Sequence, residues 1–282
     1  GAGGILVNHW GDFGIVRVEN SGGITGNGPN SNGIVAYSDN TTGYPRSEVV
    51  IENTGLINLS GTDNYGLLEQ SHGAAADLDV QNTADITLTN ASNSNAIFAL
   101  NQSGEGTAEI ENRGNISVSG NSGRGIGVSS SSAEGAGTRS FIVSNYGNMN
   151  FSTQQALGIT AFAREDDDAD IVVYNAGDII ATGTTLASSS GLSVNFSGSD
   201  ESVAHVTNDA NVRFGAGVGA YLTASDLFFE QTDNGTIEMT GSGAYGARLT
   251  SIYSLDYIQN GAVSATGANS VGVSLVDRNV AS

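Results

Sequence analysis

Cysteine and lysine are absent from this chain, proline occurs only at Pro29 and Pro45, and Trp10 is the single tryptophan. Each absence narrows the field. Without cysteine there is no disulfide framework and no thiolate metal site, and a large core must hold the fold. All nine basic residues are arginine, against 29 Asp and Glu, so the formal net charge is −20. Such a field repels nucleic acid and anionic lipid, which makes both poor partners. No apolar run of about 18 residues and no signal peptide is present. No stretch of about 12 residues keeps a 3.6-residue apolar period, so essentially no helix is expected.

What is abundant is glycine and asparagine: 40 Gly and 28 Asn among 282 residues. Both tolerate tight turns, and Val, Ile, Thr and Ser between them favour strands. The stretch IENTGLINLSG at 51–61 returns as IENRGNISVSG at 110–120. Anchored on its Asn, the pattern recurs at Asn20, Asn53, Asn82, Asn112, Asn145, Asn175, Asn208, Asp233 and Asn260. The spacings are 33, 29, 30, 33, 30, 33, 25 and 27, a mean period of 30. A fixed period of this size is the mark of a solenoid.

Each unit has three parts. Apolar residues stand two and four positions before the anchor, as in Leu78–Val80–Asn82, Phe141–Val143–Asn145 and Ile171–Val173–Asn175. Alternation by two puts them and the anchor on one inward face. A glycine corner follows (Gly55, Gly114, Gly147, Gly177, Gly235), then apolar pairs four and six after the anchor, such as Ile57/Leu59 and Ile116/Val118. In the last unit the pair Val263/Ala265 comes one residue early. A third strand has the form Gly-Ile-x-Val, as at Gly125–Val128. Three strands and three corners per unit predict an all-β, right-handed parallel β-helix, with 1–282 a single domain of about nine coils cut from a longer surface protein. At about 4.8 Å per coil the rod would be roughly 43 Å long. The inward anchors would either hydrogen-bond from coil to coil as an Asn ladder or each take a left-handed turn conformation.

The recurring (V/I)-x-N-x-G-x-I-x-V-(S/T)-G … G-I-x-V unit, from about Val16 to Leu275, resembles the passenger domains of type V autotransporters, in particular the adhesin and self-association class. The resemblance implies a β-helix displayed outside a Gram-negative cell, anchored through a C-terminal β-barrel outside this segment or released, and acting in adhesion, aggregation or biofilm formation. One branch of that family carries a serine protease domain with a Gly-Asp-Ser-Gly motif. The nearest string here, Gly11-Asp12-Phe13-Gly14, has no serine.

The residues offer little catalytic chemistry. His9, His72 and His205 are far apart, and the latter two fall about four coils, or roughly 19 Å, from each other. Polysaccharide-cleaving β-helices need paired carboxylates or a basic proton acceptor, and the Lys of one such motif is missing. The expectation is therefore a protein that is not an enzyme and that associates with itself or with a matrix or host glycan or protein. A passive stalk and a polysaccharide-binding or -cleaving rod are the alternatives. Calcium is the one cofactor suggested, at Glu165, Asp166, Asp167, Asp168 and Asp170, since loop carboxylates suit a hard cation. Stacking would align these with Asp39, Glu105, Glu134, Asp200, Glu201 and Asp226 in an acidic stripe. Ligand contacts are expected on uneven loops, at Asp39, Tyr44, Arg46, Glu134 and Arg139, with Tyr65 and Tyr245 as outward aromatics.

Overall fold

The computed structural model describes residues 3–10, 14–40, 47–130, 138–164, 168–181, 183–196 and 202–278. They form 22 strands joined in one parallel sheet that winds into a β-solenoid of about eight turns, with no helix among the described residues. Nine stacked anchors bound eight full circuits. Several strands turn a corner without a break. Tyr65–Asn82 and Ser94–Asn112 each carry a third strand into the next first strand, and Met149–Ala163 carries a second strand into a third.

Register makes the repeat physical. Ile24, Ile57, Ile86, Ile116, Met149, Ile179, Val212, Ile237 and Val263 stack in one column. Ile34, Leu67, Ile97, Ile126, Ile159 and Leu192 form a second. From Ile57 to Ile237 the first column is buried, as is all of the second. Like side chains stacked at the coil spacing fill the interior without voids, which a slipped register would lose.

The anchors run as a hydrogen-bonded ladder. The Nδ2 of Asn20, Asn53, Asn82, Asn112, Asn145 and Asn175 each donates to the Oδ1 of the next Asn at 2.8–2.9 Å. In five of the six the second amide hydrogen goes to the residue's own corner. Asn53 donates to Gly55 O, Asn112 to Gly114 O and Asn145 to Gly147 O. None of these anchors has a positive φ; among the described residues the left-handed non-glycine ones are Asn30, Asp63, Asn90, Asn93 and Asn269.

Two anchors read from the sequence are wrong. Asp233 and Asn260 are exposed, and the ladder register passes from Asn208 to Gln231 and Gln259. Asn208 Nδ2 donates to Gln231 Oε1 at 3.1 Å. The corner after Gln231 is two residues longer than the others, so Gly235 gave a false count. With Gln259 as anchor, Val263 and Ala265 fall four and six residues on and the short last unit disappears.

A second ladder, on the outside, lies three positions after the anchor. Asn115 N–H donates to Asp85 Oδ1, Asn148 N–H to Asn115 Oδ1, Asp178 N–H to Asn148 Oδ1 and Asn211 N–H to Asp178 Oδ1. Each side chain satisfies a backbone N–H that the corner leaves without a strand partner. The string N-x-G-(D/N) spells this ladder at Asn112–Asn115 and Asn145–Asn148.

Corner glycines stack back to back: a Cβ on Gly147 would stand 2.0 Å from Gly114 O, and one on Gly177 2.0 Å from Gly147 O. The coils cannot separate to admit it without losing the ladder. Gly147→Ala is therefore expected to lower stability by about 2 kcal/mol, as overpacking does. Urea midpoints measured by circular dichroism would test this, and an unchanged midpoint would contradict it.

Candidate functional site

Three outer faces result, one per strand, and their charges differ sharply. The first-strand face carries Glu19, Glu48, Glu52, Asp77, Asp79, Glu109 and Glu111. Glu48 stacks on Asp77, and Asp79 on Glu109, in direct register. Burial, and then Glu52 and Glu111 nearby, push the Asp79 carboxyl up; burial, Asp79 and Glu111 do the same to Glu109. Arg17 bridges Glu19 and Glu52, and Arg113 pairs with Glu111 while lying 4.6 Å from the Tyr146 ring centre.

This face is where the acids collect, and the acidic stripe expected at the loop edge does not form among the described residues. Asp39 stacks on His72, Glu105 on Ala75, and Asp226 on Val203, in three different columns. Asp39 Oδ1 lies 3.3 Å from His72 Nδ1, so that histidine is partnered rather than isolated. His205 packs against Phe228, 5.6 Å between ring centres. Of the calcium candidates, Asp168 and Asp170 are exposed at the start of the strand Asp168–Asn175. Glu165, Asp166 and Asp167 lie outside the described residues, as do Tyr44, Arg46 and Glu134. No group of three or more His, Asp or Glu able to hold a metal exists among the described residues.

Arg139 is a correction. It is fully buried, on the same inward face as Phe141 and Val143. Gly106 and Ala169 flank it in register, and their small side chains leave the interior space it fills. It is an internal residue, not an exposed one on the outer surface of the loop. Glu69 is buried likewise, between Ala36 and Ala99 in adjacent coils. Its Oε1 accepts the Asp79 N–H at 3.3 Å, and burial holds its carboxyl well above the ordinary range. Sequence reading misses Glu69 and sets Arg139 on an outer loop because both sit at positions of inward parity otherwise held by small or apolar residues.

The third-strand face is the opposite of the first. Its central stretches, 32–38, 65–71, 94–101, 122–130, 155–163, 190–196, 218–224 and 245–251, hold one carboxylate, the inward Glu69; Asp39, in register with His72 and Gln102, and Asp277, beside Ser251, stand at its edges. Outward stand Tyr37, Phe98, Phe162 and Tyr221, with Ser, Thr, Asn and Gln between them. Three shallow cavities run together along this face. One of ≈ 260 Å³ is lined by Asn95, Arg124, Gln155 and Leu157. The next, ≈ 360 Å³, lies against Phe98, Arg124, Thr160, Phe162 and Asn195. The third, ≈ 340 Å³, reaches Ser193, Tyr221 and Arg248. Leu157 borders all three, so they form one groove along the axis.

Gly127 shapes the middle of that groove. A Cβ there would come within 2.6 Å of Phe98 Cδ2 and 2.7 Å of Arg124 Cδ. Its absence lets the guanidinium settle 5.3 Å from the Phe98 ring centre. Tyr65, one of the expected outward aromatics, packs beside Phe98 at 6.1 Å; the other, Tyr245, lies 5.7 Å from the Arg248 guanidinium.

No family model matches the chain, and neither a characterised protein nor a solved structure matches it significantly.

Proposed function

We propose that this chain is a segment of a cell-surface adhesin: a β-helical rod that works by binding along its outer faces. It would be displayed outside a Gram-negative cell in the manner of the autotransporter passengers it resembles. The observation that carries this reading is the grooved third-strand face, a continuous polar and aromatic strip held rigid by eight coils in register. Contacts repeated at the coil spacing are individually weak, and many engaged together add to a firm attachment. Loops and side chains on such a scaffold are free to vary while the ladders and columns fix the rod.

Self-association is the simplest form of that activity, and sedimentation velocity over a concentration series tests it. The expected result is growth of dimers and longer species with concentration. A chelator arm asks whether calcium at Glu165–Asp170 contributes; if so, the larger species shrink on chelation. A monomer at every concentration, with and without calcium, would rule out rod-to-rod adhesion for this segment.

A further inference from the structure

We infer that the third-strand groove is a binding site for an acidic polysaccharide, with Arg124 on Phe98 as its central subsite and Arg248 between Tyr221 and Tyr245 as a second. The inference rests on the adhesive reading and names the ligand class of that same face.

The charge pattern is the first support. In a chain of net charge −20, carboxylates crowd the first-strand face, whereas among the described residues the outward positions of this one carry only Asp39, at its edge and beside His72. Four arginines make ion pairs elsewhere or lie inside: Arg17 and Arg113 pair with glutamates, Arg213 with Glu238, and Arg139 is internal. Arg124 and Arg248 make no ion pair among the described residues; each faces aromatic rings instead. The acidic first-strand face is a separate, neighbouring face of the rod, and screening at physiological salt, with a Debye length of about 8 Å, limits how far its field reaches.

Arg124 itself is the second support. It is half-buried, and its Nε is shut off from solvent without a hydrogen-bond partner. A guanidinium has five donors in a planar fork that suits carboxylate or sulfate oxygens. Leaving the Nε–H without an acceptor is costly, and an anionic ligand that draws the guanidinium towards it would supply one. Burial also lowers the Arg124 pKa, as expected for a cation with no counter-charge beside it.

Shape and neighbours supply the third. Phe98, Phe162 and Tyr221 offer flat apolar faces for sugar rings, and Gln155, Thr160, Ser193 and Asn195 offer donors and acceptors for hydroxyls. Arg124 and Arg248 lie four coils apart, or roughly 19 Å at the coil spacing. A chain polymer with an acidic group at intervals would span both. A compact anion would not.

The test is equilibrium binding to immobilised heparin, polygalacturonate and dextran, which separate sulfate, carboxylate and neutral chains. Wild-type protein is expected to bind one or both acidic chains and not dextran, with affinity falling as salt rises. Arg124→Gln is expected to weaken binding at least tenfold and Arg248→Gln severalfold. Arg213→Gln, on the second-strand face, should match wild type. Gly127→Ala pushes Phe98 and Arg124 apart without removing a charge, and should also weaken binding. Circular dichroism melts confirm folding, and Arg248→Gln, an exposed residue, keeps the test valid if a groove variant misfolds. Equal binding by Arg124→Gln and Arg248→Gln, or a preference for dextran, would overturn the site. Cohesion of protein-coated beads, measured in parallel, keeps the two ideas apart. Cohesive beads with no affinity for heparin or polygalacturonate would overturn the ligand class and leave adhesion standing.

Discussion

Asn112→Asp is expected to destabilise the rod by roughly 3–5 kcal/mol at pH 7, the range for leaving a buried charge uncompensated. Asn112 is fully buried, and its amide donates to Asn145 Oδ1 and Gly114 O while accepting from Asn82 Nδ2. A carboxylate keeps only the last of these bonds and presents an oxygen to two acceptors. Asn112→Ala should cost less, about 2–3 kcal/mol, because it removes hydrogen bonds and leaves partners unmet without adding a charge. The two variants also differ in their response to pH. The introduced carboxyl has a folded pKa raised above its unfolded value, so its penalty grows as pH rises through the ordinary carboxylate range and shrinks below it. Denaturant midpoints at pH 4 and pH 7 read both effects. Equal loss for Asp and Ala at pH 7 would mean that the introduced carboxylate adds no penalty of its own, and would contradict the prediction.

Glu69→Gln is expected to stabilise the protein at neutral pH and to leave it nearly unchanged at acid pH. Glu69 lies in the core with burial raising its carboxyl well above the usual value. Below the unfolded pKa both states are protonated and the residue is nearly neutral in effect. As pH rises past it the unfolded chain releases a proton that the folded chain keeps, so stability falls until the folded carboxyl ionises. The loss is about 1.4 kcal/mol for each unit by which burial raises the pKa. Glutamine keeps the oxygen that accepts the Asp79 N–H and removes the titration. Asp79 and Glu109 are raised as well, so the wild-type rod is expected to be more stable near pH 5 than near pH 8. Midpoints from pH 4.5 to 8.5 decide it: the wild-type curve should decline, and the Glu69→Gln curve should decline less. Parallel curves would show that Glu69 is ionised in the folded state.

Much of this fold was legible because each coil repeats the last. Period two gave the inward columns, period 30 gave the turns, and Asn53, Asn82 and Asn112 are written as anchors in plain view. The ladder's end escapes the pattern because Gln231 takes the anchor register and accepts from Asn208 with one more methylene, while its Nε2 donates to nothing among the described residues, and because its corner is longer. The acidic stripe was misplaced because loop residues were aligned by their position in the repeat. Register, fixed by strand pairing, sends Asp39, Glu105 and Asp226 to different columns. Arg139 and Glu69 could not be told from surface charges without knowing that Gly106, Ala169, Ala36 and Ala99 make room beside them. The groove was partly within reach. Outward parity from the Gly-Ile-x-Val strands already gives a face with no outward carboxylate in its central stretches, and Gly127 stands in its outward column. What the string does not reveal is that Arg124 and Phe98 both lie over that glycine.

The most direct test of a rod that acts by binding is attachment. Inert beads coated with this chain should cohere, or hold to a polysaccharide-coated surface, and the polysaccharide recovered afterwards should keep its original length. Beads that stay dispersed and unattached, or a polysaccharide shortened by the contact, would contradict the account.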